Sequence, residues 1–123
     1  MSQVPTVAIV DDDEDARKGA EALVQALGYN AYTFGSADEF LKSRQVHDTS
    51  CLITDLCMPG LSGIDLQDEL IARGLRIPVI FITGNPDDNA RARAMKDGAV
   101  GFMSKPCNVE HLIGCLDKAL KAA

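Results

Sequence analysis

The chain has 123 residues, 46% of them hydrophobic, which is enough for a single domain, 1–123, whose core needs no disulfide or metal staple. A formal net charge of −6, with twelve Lys and Arg scattered and only Arg91, Arg93 and Lys96 loosely grouped, argues against direct binding to nucleic acid or to anionic membrane surfaces. Four cysteines, at 51, 57, 107 and 115, have neither Cys-x-x-Cys nor zinc-finger spacing, and Met1 to Thr6 carries no basic or long apolar stretch, so reduced thiols and a cytoplasmic, membrane-free location are expected.

Val7-Ala-Ile-Val10 is an apolar run ending in Asp11-Asp12-Asp13-Glu14-Asp15, so the first strand finishes in acid. From about Asp15, Ala16, Ala20, Leu23, Val24 and Leu27 recur at helical spacing and Gly28 stops the helix. Ala31 to Phe34 is a short second strand, and Ser36-Ala-Asp-Glu39 has the form of a capping box opening a helix through Phe40 and Leu41. Ser43 to Thr49 is polar and predicts a loop. Cys51-Leu-Ile-Thr-Asp55 is a buried strand ending on one carboxylate, before the turn Met58-Pro59-Gly60. Ser62 or Gly63 starts a third helix with Ile64, Leu66, Leu70 and Ile71 on its buried side. Pro78 to Thr83 predicts a fourth strand, and Asp87 or Asp88 caps a helix carrying Ala90, Ala94 and Met95 to Gly98. Val100 to Ser104 predicts a fifth strand and Lys105-Pro106 a turn. Asn108 caps a last helix with Val109, Leu112, Ile113, Leu116 and Leu120.

Strict alternation of strand and helix with short connections predicts a parallel sheet covered by helices on both faces. All strands then end at one edge, which gathers Asp11 and Asp12, Asp55, Thr83 and Lys105. Close like-charged carboxylates repel by about 1 to 4 kcal/mol per pair, so the edge demands positive charge. Hard oxygen ligands favour Mg2+, and Lys105 adds a mobile cation suited to a phosphoryl oxygen. Thr83 offers a hydroxyl donor. An Asp between a metal and a Lys can attack phosphorus in line, forming an aspartyl phosphate. Alone, Thr83 would read as a strand or cap residue and Lys105 as a surface Lys; their positions at matching strand ends give them weight. His47 and His111 read as solvent-facing.

Over its whole length the chain resembles the receiver domain of two-component response regulators. The resemblance rests on the acidic pair after the first strand, Asp55-Leu-Cys-Met-Pro-Gly-Leu-Ser-Gly63, Thr83-Gly84 and Phe102-Met-Ser-Lys105-Pro106, in that order. It implies a flavodoxin-like α/β (βα)5 fold with strand order 2-1-3-4-5, and a phosphoryl group delivered by a sensor histidine kinase, a phosphotransfer protein or a small donor such as acetyl phosphate. It implies Asp55 as phosphoacceptor, Asp12 as a direct Mg2+ ligand, Asp11 acting through water, and the backbone carbonyl of Cys57 as a further ligand. Thr83 and Lys105 would hold phosphoryl oxygens, and Lys105-Pro106 matches a frequent cis peptide. Phe102 stands at the switch aromatic, where movement of Thr83 lets the ring turn inward and alters the surface of the fourth helix, fifth strand and fifth helix. That surface leaves room for a homodimer. The strings Thr-Asp-Leu-x-Met-Pro and Ile-Thr-Gly are most similar to receivers fused to DNA-binding domains, so an output domain beyond residue 123 is compatible, as is a stand-alone relay.

Cys57 and Asn85, two residues after Asp55 and Thr83, occupy places that in the family influence phosphoryl lifetime, and a short Cys57 is expected to leave the attacking water unhindered. Two rival classes fit less well. An aspartate-nucleophile hydrolase would place a second Asp where Cys57 stands, and a flavin carrier would need a hydroxyl- and Gly-rich loop in place of Asp11 to Asp15. A receiver-like interaction module that works without phosphorylation is the remaining alternative.

Overall fold

Three strands lack the polar alternation of a half-exposed sheet because helices cover them on both sides, and their side chains divide between two cores. The computed structural model describes residues 4–106 and 108–121; Cys107 and the segment 1–3, on which expectations were stated above, lie outside the described residues. In chain order the elements are β1 (Thr6–Val10), α1 (Glu14–Ala26), β2 (Asn30–Phe34), α2 (Ala37–Lys42), a 3-10 turn (Arg44–Asp48), β3 (Cys51–Thr54), α3 (Gly63–Ala72), β4 (Val79–Thr83), α4 (Asp88–Lys96), β5 (Gly101–Ser104) and α5 (Val109–Lys121). The strands form one sheet of order β2-β1-β3-β4-β5, parallel at every pairing, which is the expected flavodoxin-like arrangement.

Ala8, Val10, Leu52, Val79 and Phe81 face a core closed by Phe40, Leu41, Ile64, Leu66, Leu70 and Ala94 from α2, α3 and α4. Val7, Ile9, Cys51, Ile53, Ile80, Ile82 and Met103 face the opposite core, closed by Val24 of α1 and by Leu112, Cys115 and Leu116 of α5. Adjacent residues on each strand thus serve different layers, so a one-residue slip would exchange the cores.

The helix ends are set by short polar side chains. Asp13 accepts from the N–H groups of Asp15 and Ala16 at the start of α1, Asp87 caps α4, and the Asn108 carboxamide accepts from His111 N–H at 2.9 Å. Ser62 and Asp65 form a reciprocal capping box at α3. At α2 the expected box is only half formed: Ser36 accepts from Glu39 N–H, but the Glu39 carboxylate reaches one residue further back to Gly35 N–H at 3.1 Å. Gly28, Gly74 and Gly98 follow α1, α3 and α4 with φ of 94°, 76° and 100°, left-handed conformations that would strain any other residue.

Four local expectations are corrected. The segment around Val46 is a 3-10 turn, fastened because Val46 is buried. Ile71, Met95 and Val109 are 52%, 44% and 50% exposed, and Gln67 takes the place on α3 assigned to Ile71. The stripe of α3 runs through Gly63, Ile64, Leu66, Gln67 and Leu70, so Ile71 lies past its margin.

Candidate functional site

The sheet ladder does not stop at the strand ends, and its last bonds aim the charged residues. Asp11 N–H donates to Phe34 O at 3.1 Å, Asp55 N–H to Val10 O at 3.0 Å and Lys105 N–H to Thr83 O at 2.8 Å. Each of these three residues is therefore held by the backbone of a neighbouring strand, one position beyond its own. Lys105 follows β5 through a cis peptide to Pro106.

From these anchors the side chains converge. Lys105 Nζ lies 3.1 Å from Asp11 Oδ2 and 3.0 Å from Asp55 Oδ2, bridging the ends of β1 and β3. Asp11 Oδ1 accepts from Asp13 N–H at 2.9 Å, and Asp55 Oδ1 from Cys57 N–H at 3.2 Å. Asp11 and Asp55 are buried and Asp12 is exposed, yet carboxylate oxygens of all three lie within 4.8 Å of one another. Burial pushes the Asp11 carboxyl above its ordinary value, against the pull of Asp13 N–H and Lys105, while nearby Asp55 adds to the rise. Burial alone would lower the Lys105 pKa, but its bonds to Asp55 and Asp11 outweigh it and leave the ammonium more firmly protonated.

One ammonium faces three carboxylates, so the cluster carries an uncompensated negative charge built from hard oxygen donors. That donor set fits a divalent cation such as Mg2+, with Asp11, Asp12 and Asp55 able to hold it.

The remaining residues singled out by sequence sit around this cluster. Thr83 is fully buried at the end of β4, and its hydroxyl oxygen accepts from Asn85 N–H at 3.1 Å. Phe102 is half-buried on β5 with its ring centroid 5.9 Å from that of Phe81. Cys57 is exposed beside the acids, whereas Cys51 and Cys115 are buried, and all three carry free thiols. His47 and His111 face solvent.

Two residues near the site gave no chemical signal in the sequence. A Cβ on Gly63 would stand 2.4 Å from the Asp55 carbonyl oxygen and 3.0 Å from Phe81 Cε1, so α3 begins pressed against the backbone of Asp55, and only glycine leaves room. The available sign was a glycine at the first position of a helix, where its low propensity needs a reason. Arg17, half-buried on α1, donates from Nη1 to the Asp11 carbonyl oxygen at 2.7 Å.

An α/β domain with acids and a lysine gathered where the strand order reverses is thus defined by fold and site together. Residues 7–117 match the model of the response regulator receiver domain, and the chain belongs to that family. It is 45% identical over 107 residues to nodulation protein W of Bradyrhizobium diazoefficiens, covering 87% of this chain and 47% of that protein. With response regulator protein TmoT of Ectopseudomonas mendocina the identity is 39% over 121 residues, covering 98% of this chain and 55% of that one. The crystal structure of FixJ-N superposes with a TM-score of 0.85 at 35% identity, covering 99% of this chain and 98% of that one. The chain spans about half the length of the regulators it matches. It is a response regulator receiver domain of two-component signalling, a class of signalling proteins that bind Mg2+ at an acidic pocket. Among the described residues no helix is long and apolar enough to cross a membrane.

Proposed function

We propose that this chain is a phosphorylation switch with Asp55 as phosphoacceptor. The observation that carries the reading is the Lys105 ammonium set between Asp55 and Asp11, with Asp12 in the same cluster. Asp55 attacks the phosphorus of a phosphohistidine or of acetyl phosphate in line, forming a P–O bond to its carboxylate as the bond to the leaving imidazole or acetate breaks. Lys105 follows from the carboxylate to a phosphoryl oxygen, and the Thr83 hydroxyl, already accepting from Asn85, keeps its own proton to donate to another. Mg2+, when bound, offsets the charge of the acids and of the moving phosphoryl group. Asp12 would ligate it directly, Asp11 through water, and Cys57 through its backbone carbonyl.

Recruitment of Thr83 frees space beside Phe102, whose inward turn would alter the face formed by α4, β5 and α5, the surface offered to an output domain, a partner or a second copy. Phe102 has no hydroxyl to lock its inward position by a hydrogen bond. An apolar cleft of about 440 Å³ between α1 and α5, lined by Ala16, Leu23, Val109 and Leu112, opens beside Asp55, on the side from which a kinase or phosphotransfer protein would approach the acceptor. The chain catalyses its own phosphorylation and dephosphorylation, and its role is signalling and not metabolic catalysis.

Intact-protein mass after incubation with acetyl phosphate and Mg2+ tests the reading. One phosphoryl mass should be gained, and both Asp55→Asn and omission of Mg2+ should abolish it. No gain by the wild type would favour the phosphorylation-independent interaction module, and a gain surviving Asp55→Asn would move the acceptor elsewhere. At Cys57, exposed beside the acceptor, Cys57→Arg should slow loss of the phosphoryl group by shielding it from water; unchanged or faster decay would show that Cys57 does not govern access.

A further inference from the structure

We infer that Arg17 is a positioning residue for the divalent-cation site, an inference that rests on the Mg2+ reading above. The Asp11 side chain is held directly, by Asp13 N–H and Lys105. The structure records no hydrogen bond to the exposed Asp12 carboxylate among the described residues, so its place depends on the peptide that carries it. That peptide begins at the Asp11 carbonyl, and Arg17 Nη1 donates to its oxygen at 2.7 Å.

Arg17 is well placed for this. It sits in the first turn of α1, where its own N–H donates to Asp13 O at 3.0 Å, and helical side chains lean toward the amino terminus. Its guanidinium therefore folds back over the end of β1, and Nη1 lies 3.7 Å from the point where a Cβ on Gly35 would stand, with Glu39 Oε2 3.6 Å from the same point. The turn that presents both acids is thus tied by one planar cation to α1, with the β2–α2 connection close beside it. When Lys105 moves to a phosphoryl group, Arg17 keeps its positive charge at the rim of the acids and still holds the Asp11–Asp12 peptide.

The test compares Mg2+ affinity, followed by NMR titration of the Asp12 and Asp13 amides, in wild type, Arg17→Met and Arg17→Lys, with thermal midpoints taken in EDTA. Arg17→Met should weaken Mg2+ binding about tenfold, the scale of one charged hydrogen bond, and Arg17→Lys should recover it to within about threefold because it keeps a charged donor for the Asp11 carbonyl. Binding by Arg17→Met within twofold of wild type, or no recovery by Arg17→Lys, overturns the inference. Should Arg17→Met fail to fold, Arg17→Leu against Arg17→Lys makes the same comparison, since leucine also has no donor. A wild type that takes no Mg2+ removes the function reading and this inference together, whereas wild-type binding matched by Arg17→Met removes the inference alone.

Discussion

α4 and α5 flank the same strand, β5, and are held to the sheet by different means. α5 drives Leu112, Cys115 and Leu116 into the core over Ile53, Ile80 and Met103, none of the three helix residues more than 7% exposed. α4 contributes one fully buried side chain, Ala94, and turns Met95 outward. What α4 lacks in apolar contact it replaces with polar ties to α3: Gln67 Nε2 donates to Ala94 O at 3.2 Å, and Arg93 pairs with Asp68. A helix with little buried apolar surface opens or shifts at small cost, and a helix packed along its length does not. Of the two helices on the face expected to change on phosphorylation, α4 is the one the fold anchors less.

The comparison breaks if the two helices prove equally deep in the core. Leu116→Ala should cost about 2–5 kcal/mol of stability, since it empties a fully buried site, while Ala94→Gly should cost roughly 1 kcal/mol, mostly helix propensity. Urea unfolding of both variants measures the difference, and equal losses would remove the distinction. The α5 side also holds the buried thiols. Burial first, then the neighbouring Cys115, pushes Cys51 up to about 12 from an ordinary value near 9, against a hydrogen bond from the Leu52 backbone. The folded chain therefore holds this proton where the unfolded chain releases it. Stability is intact below the unfolded value and lost as pH rises above 9, by about 3 kcal/mol near pH 11. Cys51→Ala should flatten that alkaline slope in unfolding measurements; an unchanged slope would assign it to other groups.

The frame of the molecule was legible because it is written in short-range terms. Apolar runs ending in Asp11, Asp55 and Thr83, and caps at Ser62, Asp87 and Asn108, predict elements and the edge where they end. The meeting of Asp11, Asp12, Asp55 and Lys105 followed from topology, since a parallel sheet sends every strand end to one side. Residues whose roles depend on facing elements were not legible. Ile71, Met95 and Val109 have core chemistry but lie outside the covered stripes, and Gln67 is buried only because the α4 carbonyl it bonds stands opposite. Lys105 bridges two carboxylates, a pairing that depends on where the ends of β1 and β3 meet and not on its own residue type. Arg17 and Gly63 act through backbone atoms of the acids, and a backbone partner leaves no mark on residue type at the other end of the bond.

The finest test of the α4–α5 contrast is Gln67→Met. The buried Gln67 carboxamide donates to Ala94 O, but its own Oε1 has no hydrogen-bond partner among the described residues, so the side chain gains one bond while leaving an acceptor dry. Methionine has similar length and fills the same space, and it removes the donor and the orphan acceptor together. Ala94 O keeps its bond from Ala99 N–H at 3.0 Å, so no carbonyl is left bare. Global stability should therefore change by less than about 1 kcal/mol. The local effect should be larger than the global one: amides at the carboxyl end of α4, Ala94 to Asp97, should exchange faster with solvent while those of α5 hold their wild-type protection. If α4 exchange is unchanged, the Gln67 bond does not tether the helix and Arg93–Asp68 must carry more of the hold. If α5 loosens by the same factor, the two helices open as one unit, and the looser anchoring of α4 has no consequence for its motion.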